Sequence, residues 1–317
     1  MKIGQKGLST TVIVGIVIAV VVVAGMAAVV LKGGSTSLTT TTTTTAGQPI
    51  DEPFEWVNDI TPGADAGTPP GGTSNDGPWN HRVMSATSSD GLSWVKDNVK
   101  IADQASVPDA ILDNEGNMRV YYVDWYNGHV ISVALSHDGT NWIYRKITIQ
   151  GEVAGSQSGI SPVDPDIVRL EDGRYRLYYM YNAAIYSAIS NYGINFVKES
   201  GVRYQQEGMI YDPDVIKMGD VWRMFVSLGI RNLSTVSSDG LSFSRENELP
   251  FDGSVSCTIP VENGYRMYYM KQGISSSFSS DGESWVFEGP RLDNAGDPTV
   301  IKLPNGTYKM FYKTWIE

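Results

Sequence analysis

Aspartates recur at the start of predicted apolar strands, often next to a proline. The set comprises Asp109, Asp164 with Asp166, Asp212 with Asp214, and Asp297. Two carboxyl groups on either side of a glycosidic bond can supply the acid and the base that its hydrolysis requires. An aspartate at a strand start can equally be architectural, because its carboxylate bonds to nearby backbone amides. The choice between these roles depends on the elements that position the side chains.

One of these elements is a hairpin motif that occurs five times after residue 80. Its copies are SATSSDGLSW, ALSHDGTNW, AISNYGINF, TVSSDGLSF and SFSSDGESW. Each copy has a strand of small residues, a turn rich in Asp or Asn with Gly, and an aromatic residue that opens the returning strand. Gly supplies the positive φ that such tight turns need. The motif therefore predicts the outer hairpin of a repeated unit.

The inner hairpin of the unit also occurs five times, as an apolar strand followed by a strand rich in Tyr, Arg and Met. Asp166 and Asp214, which hold equivalent places in two copies, are 48 residues apart. This spacing is close to the ~40–50 residues of a four-stranded propeller blade. The sequence thus predicts an all-β fold of antiparallel blades.

The order of the hairpins predicts how the ring closes. The domain begins with an outer hairpin at residues 81–100 and ends with an inner hairpin at residues 297–315. Together they complete one blade, and their pairing removes open sheet edges. A sixth blade would need a repeat within residues 46–80, where none is visible. We therefore predict that residues 80–317 form a five-bladed β-propeller closed by its N- and C-terminal strands.

In a propeller, the starts of the innermost strands share a face with the loops between the second and third strands of each blade. Those loops carry aromatic residues, and flat rings can stack on the C–H faces of a sugar. The Asp-Gly turns lie on the opposite face. The residues predicted to bind a saccharide substrate are Trp125, Tyr126, Tyr181, Tyr211, Asp212, Asp297 and Trp315.

The first eighty residues have a different character. Residues 11–31 are uncharged and apolar, long enough to cross a bilayer as one helix. Lys2 and Lys6 precede this segment, which predicts a cytoplasmic N-terminus at residues 1–10 and a propeller outside the cell. The alternative is a cleaved secretory signal. Residues 32–79, which include seven threonines at 39–45, form a predicted stalk and lead-in, either O-glycosylated or a plain spacer.

Composition excludes several classes of function. The net charge is -11 and the pI is about 4.8, so we expect no nucleic-acid partner. Cys257 is the single cysteine, which rules out an intramolecular disulfide. His81, His129 and His137 are scattered without metal-ligand spacing, so no metal site is predicted, and no cofactor is assigned.

Two resemblances carry further expectations. The run Lys6-Gly7-Leu8-Ser9-Thr10 resembles the leader of archaeal pilin-like proteins, although Val12 stands where a glutamate is usual. The repeated unit over residues 80–317 resembles the five-bladed propeller glycosidases, the group of arabinanases, β-xylosidases, invertases and levansucrases. That resemblance implies a carboxylate base, a second carboxylate that tunes the site, and a glutamic acid as proton donor.

On this resemblance the second role falls on Asp164, within Val163-Asp164-Pro165. The base would be Asp109, displaced by two residues from the family position, which Val107 occupies. The acid would be Glu207, four residues before Tyr211, which stands at the family position. The leading hypothesis is a membrane-tethered extracellular propeller that hydrolyses or engages carbohydrate. The alternatives are a non-catalytic surface module that binds glycans or protein, and a structural component of the envelope.

Overall fold

A computed structural model of the protein describes residues 53–63, 77–152 and 161–316. This part of the chain holds one short 3-10 helix, Pro78–Asn80, and twenty-one β-strands. In chain order the strands are β1 (His81–Ser88), β2 (Val95–Asp103), β3 (Ala105–Leu112), β4 (Met118–Asp124), β5 (Val130–Ser136), β6 (Ile143–Lys146), β7 (Thr148–Gln150), β8 (Val163–Arg169), β9 (Tyr175–Tyr181), β10 (Ala184–Ser190), β11 (Asn195–Lys198), β12 (Tyr211–Met218), β13 (Val221–Leu228), β14 (Arg231–Ser237), β15 (Ser244–Glu248), β16 (Ser254–Val261), β17 (Gly264–Met270), β18 (Ile274–Ser279), β19 (Val286–Leu292), β20 (Gly296–Lys302) and β21 (Tyr308–Trp315).

The strands form five antiparallel blades. From the inside outward, blade 1 is β20-β21-β1-β2, blade 2 is β3 to β6, blade 3 is β8 to β11, blade 4 is β12 to β15 and blade 5 is β16 to β19. The short β7 adds to the outer edge of blade 3, parallel to β11. Each innermost strand contacts the innermost strands of the two neighbouring blades, which closes the ring. The predicted five-bladed propeller is confirmed.

Blade 1 joins the two ends of the domain. Strand β1 pairs with β21 over eight residues, from His81 opposite Trp315 to Ser88 opposite Tyr308. The ring closure predicted from the order of the hairpins is therefore confirmed. Because β1 and β21 complete one sheet, neither strand leaves an open edge inside the ring.

The repeated hairpin motif binds each blade to the one before it. Its aromatic residue packs edge-on against an aromatic residue in the second strand of the preceding blade, with ring centroids 5.7–6.4 Å apart. The five pairs are Trp94–Tyr268, Trp142–Phe311, Phe196–Tyr121, Phe243–Tyr178 and Trp285–Phe225. The motif is thus an inter-blade joint as well as a turn, and the joints repeat around the whole ring.

Every innermost strand contains a β-bulge near its start. At the bulge one residue adopts a left-handed backbone conformation with φ between 45° and 52°. We call these five residues the upper ring: Val107, Asp164, Asp212, Val255 and Asp297. The residues two positions later form the lower ring: Asp109, Asp166, Asp214, Cys257 and Thr299. The bulge re-aims neighbouring side chains, and the two rings have different environments.

The lead-in at residues 53–63 covers the outer edge of blade 2. The backbone N–H of Asp59 donates to the carbonyl of Tyr144, 3.1 Å away, and the Asp59 carboxylate pairs with Arg145 at 2.8 Å. The Tyr144 N–H in turn donates to the side-chain oxygen of Asn58. This segment therefore occupies hydrogen-bonding groups on strand β6 that would otherwise face solvent.

The predicted membrane-spanning segment, residues 11–31, and most of the predicted stalk lie outside the described residues. Within the described ranges, no helix has the length and apolar character needed to cross a bilayer.

Candidate functional site

A cavity of about 290 Å³ opens at the centre of the face where the innermost strands begin. All five upper-ring residues line it, together with Tyr211 and with residues from the ends of the second strands. Three of the five upper-ring positions are aspartates: Asp164, Asp212 and Asp297. The propeller thus brings together three carboxyl groups from strand starts that are distant in sequence.

Two of the upper-ring carboxyl groups, Asp164 and Asp212, have perturbed proton affinities. Burial, reinforced by the charge of Asp297 and opposed by a hydrogen bond from the Asp212 backbone N–H, raises the pKa of Asp164 to about 7. Burial and the charges of Asp164 and Asp297 raise the pKa of Asp212 well above its usual range. Both shifts arise because ionised carboxylates in a confined site lose hydration and repel each other. Asp164 can therefore exchange a proton near neutral pH.

Asp297 has a different partner. The ammonium nitrogen of Lys313 lies 3.4 Å from its Oδ1, and both side chains are buried. The Val107 backbone N–H donates to its Oδ2 at 3.3 Å. Lys313 also opposes the rise in the pKa of Asp212. The three aspartates thus occupy unlike environments, the condition under which neighbouring carboxyl groups take separate acid and base roles.

Two histidines also line the cavity. His81 begins β1 and packs edge-on against Trp315, with ring centroids 5.8 Å apart. His129 immediately precedes β5, and burial lowers its pKa. Sequence reasoning missed both residues, and it missed Lys313. The one local signal was that His81 and His129 each stand at the start of a third blade strand. The third histidine, His137, lies elsewhere, stacked on Trp56 at 3.7 Å.

The lower ring connects the blades. In each case a side chain accepts a hydrogen bond from a backbone N–H of the next blade: Asp109 from Ile167 (2.7 Å), Asp166 from Val215 (3.1 Å), Asp214 from Thr258 (3.0 Å), Cys257 from Val300 (3.3 Å) and Thr299 from Ala110 (3.0 Å). The five bonds form a closed circle. Because each one spans two blades, the lower ring has the architectural role that strand-start aspartates can take.

Asp109 belongs to this circle. Its second carboxyl oxygen accepts a hydrogen bond from the Thr299 hydroxyl at 2.9 Å, so both oxygens are engaged. Burial is the main reason that its pKa rises to about 7, and the charge of Asp214 adds to the rise. Asp109 is not among the residues that line the central cavity.

The remaining predicted residues differ in whether they contribute to the cavity lining. Glu207 is exposed and does not contribute to the cavity lining. Tyr211 lines it and is 38% exposed. Trp125 packs against Trp79 with centroids 5.0 Å apart. Four of the predicted aromatic residues lie outside the lining: Trp125, Tyr126, Tyr181 and Trp315. The structure therefore brings Asp164, Asp212, Asp297 and Tyr211 into one cavity.

In the part of the chain that the structure describes, no group of three or more His, Cys, Asp or Glu side chains is arranged to hold a metal ion. The acid–base and hydrogen-bonding groups of the upper ring are the chemistry that the cavity presents.

The fold resembles that of several glycoside hydrolases. An endo-1,4-β-xylanase from Bacteroides thetaiotaomicron is 14% identical, with a TM-score of 0.53 over 66% of this chain and 84% of that one. An exo-β-1,3-galactanase from Clostridium thermocellum is 16% identical, with a TM-score of 0.51 over 71% of this chain and 57% of that one. A protein of unknown function from Dyadobacter fermentans is 15% identical, with a TM-score of 0.54 over 77% and 86%.

No protein-family model matches the sequence, and a search of curated proteins finds no match. At these identities the structural similarity establishes the fold and does not establish an activity.

Proposed function

We propose that the protein is a membrane-tethered, extracellular propeller that hydrolyses a glycosidic bond in a saccharide bound at the central cavity. The observation that carries the proposal is the convergence of three upper-ring carboxyl groups in unlike environments. Glycoside hydrolysis needs one carboxyl group that donates a proton and a second that acts as base or nucleophile. The glycoside hydrolases among the structural neighbours support the same class of substrate.

In this proposal Asp164 donates the proton, because its pKa of about 7 keeps a substantial protonated fraction at neutral pH. Asp297, paired with Lys313, is the candidate base or nucleophile. The upper ring suits these roles better than Asp109, whose oxygens are engaged between blades. Glu207 stays a predicted acid, and its exposure outside the cavity disfavours that role.

A non-catalytic module that binds glycans is the second candidate. The observation that favours it is that no glutamate is found among the described residues lining the cavity. Binding a sugar requires only carboxylates that accept hydrogen bonds from its hydroxyls and a ring such as that of Tyr211 that packs against its C–H face. In this case the protein binds oligosaccharides without cleaving them.

The tether and the location of the propeller outside the cell belong to the proposal. They are supported by the apolar residues 11–31, the lysines before them and the threonine-rich stalk after them. Digestion of intact cells with an external protease should release the propeller. Retention of the full-length chain after digestion, with the propeller accessible only in lysed cells, would contradict this location.

The catalytic proposal is tested on the full-length protein in detergent, with a panel of aryl glycosides and β-linked oligosaccharides. Asp164→Asn and Asp297→Asn should each lower the rate of sugar release at least about a hundredfold, the usual contribution of acid–base catalysis. Asp220→Asn, which removes an exposed carboxylate from a turn on the opposite face, is the matched control and should retain full activity.

A Glu207→Gln variant tests the role predicted for that residue. Its loss of activity, with Asp164→Asn unaffected, would overturn the upper-ring assignment. Saturable binding of an oligosaccharide without hydrolysis by the wild-type protein would support the binding module instead.

A further inference from the structure

A second and larger cavity, of about 380 Å³, lies on the opposite face of the propeller. The turn between β3 and β4, the turn between β8 and β9, and the turn between β10 and β11 form its walls. The lead-in contributes Phe54 and Trp56. These turns connect the strand ends that point away from the upper ring. The cavity is therefore separate from the candidate active site.

An alternating stack of cations and rings runs along its wall and ends at Arg145, which lies outside the lining. The guanidinium carbons of Arg145 and Arg119 lie 5.6 Å and 5.4 Å from the centroid of Phe54. Arg119 and Arg169 lie 4.8 Å and 5.2 Å from the centroid of Tyr175. Cations over ring faces attract the ring quadrupole, so the stack holds each guanidinium in a defined place.

The three cations differ in how their charge is compensated. Arg145 pairs with Asp59 at 2.8 Å, and the buried Arg119 pairs with Asp113 at 3.2 Å and donates to the Tyr192 carbonyl at 2.7 Å. For Arg169, no carboxylate lies within ion-pair distance anywhere in the described ranges. Its one polar contact there is a 3.3 Å hydrogen bond to the Gly173 carbonyl. Arg169 therefore brings a guanidinium without a direct carboxylate partner to a lining that also contains Asp113 and Glu115.

The rest of the lining carries aromatic rings and an amide group that can contact a sugar ring. Trp56 is held by its stack on His137, and Tyr192 is 36% exposed. Flat rings at the edge of a cavity can pack against the C–H face of a sugar. Asn114 adds an amide group that can bond to hydroxyls.

From this geometry we propose that the cavity is a binding site for an acidic saccharide, one that carries a carboxylate such as a uronic or sialic acid residue. The carboxylate pairs with the planar guanidinium of Arg169, which can bind it through two parallel hydrogen bonds. The sugar ring packs against Trp56 and Tyr192. No bond is made or broken in the saccharide, so the site anchors a glycan and leaves hydrolysis to the central cavity.

The test is calorimetric titration of the full-length protein with trigalacturonate, a hyaluronan tetrasaccharide and 3′-sialyllactose, with maltotriose and lactose as neutral probes. At least one acidic probe should bind with a Kd below about 1 mM and tighter than either neutral probe. Arg169→Gln should weaken that binding at least about tenfold, the loss expected for a hydrogen bond to a charged group. Failure of all three acidic probes to bind would overturn the proposal.

Arg174→Gln is the matched control. Arg174 lies in the same blade and pairs with Asp172 at 2.7 Å, but it does not line the cavity. An equal loss of affinity in both variants would show that general attraction of charge accounts for binding, and would overturn the site. An unchanged circular dichroism spectrum and melting temperature of Arg169→Gln would show that the variant is folded and that its loss of affinity comes from the missing guanidinium.

Two further variants distinguish carboxylate binding in this cavity from hydroxyl recognition and from binding in the central cavity. Glu115→Gln removes, from the exposed rim, a negative charge of the same sign as the ligand carboxylate. The variant should bind the acidic probe as tightly as the wild-type protein or more tightly. A loss there as large as that of Arg169→Gln would show that the cavity recognises hydroxyls and not a carboxylate, which overturns the assignment. Lys313→Gln removes a cation from the lining of the central cavity and should retain acidic binding. Loss in that variant would place the ligand in the central cavity and overturn the proposal.

Discussion

Asp164→Asn should make the protein more stable at pH 8 while leaving its stability at pH 4 nearly unchanged. The pKa of this carboxyl is raised to about 7 in the folded protein, against about 3.9 in an unfolded chain. Between those values the folded state holds a proton that the unfolded state has released. The contribution of the Asp164 carboxyl to stability is therefore fully present below pH ~4 and is lost as pH rises through 7.

The size of the effect follows from the shift. A difference of about three pKa units at about 1.4 kcal/mol each makes the ionised Asp164 cost about 4 kcal/mol at pH 8. An amide keeps the shape of the carboxyl and cannot ionise, so Asn removes this cost. Asn is also among the side chains that best tolerate a left-handed backbone, and residue 164 has φ 52°. For a domain of this size, the melting temperature should rise by about 10 °C at pH 8.

The assay is urea unfolding of the full-length protein, followed by tryptophan fluorescence at one-unit intervals from pH 4 to pH 8. The slope of unfolding free energy against pH should be less negative in the variant by about 1.4 kcal/mol per unit between pH 5 and 6. Asp220→Asn should reproduce the wild-type slope. Identical slopes for wild type and Asp164→Asn, or a variant less stable at pH 8, would refute the argument that this carboxyl is held at an energetic cost.

Two substitutions test the inter-blade joints. Gly193→Ala should lower the free energy of unfolding by about 3 kcal/mol or more, because φ is 75° and the new Cβ would lie 2.6 Å from the Tyr121 hydroxyl of the preceding blade. The control is Gly128→Ala, with φ 106° and open space around it, which should cost about 1–2 kcal/mol. Equal losses of stability in thermal unfolding of the two variants would contradict the role of this joint. Tyr178→Phe removes a buried 2.8 Å hydrogen bond to the Gly240 carbonyl and should lower the free energy of unfolding by about 1–2 kcal/mol. Phe fits this position, because Phe225 holds the equivalent place in blade 4. An unchanged melting temperature would show that the hydrogen bond does not stabilise the fold.

Much of the fold could be predicted because its information is local. Each hairpin carries its own turn residues and its own period-2 alternation, so blades can be counted along the chain without knowing what they touch. The closure of blade 1 followed from the order of hairpins, since an incomplete unit at each end has one partner that removes its free edge. The inter-blade role of the motif aromatics was not visible, because their partners lie one blade earlier.

The candidate site was harder to predict. Asp164 and Asp166 are two residues apart in the same strand, and simple alternation places both on one side. The bulge at Asp164 separates them, so that Asp164 lines the cavity and Asp166 bonds to the next blade. Lys313 and His129 reach the same cavity from segments nearly two hundred residues apart, with no sequence motif to associate them.

By itself, then, the sequence determined the strands, the number of blades, how the ring closes and which face collects the strand starts, because these follow from periodicity and turn chemistry within each repeat. Only the tertiary structure decided which carboxyl groups face the cavity and which connect blades. It also decided which cations accompany them and where Arg169 lacks a counter-charge. Burial, like-charge proximity and hydrogen bonding depend on distances between blades, and no local pattern encodes those distances.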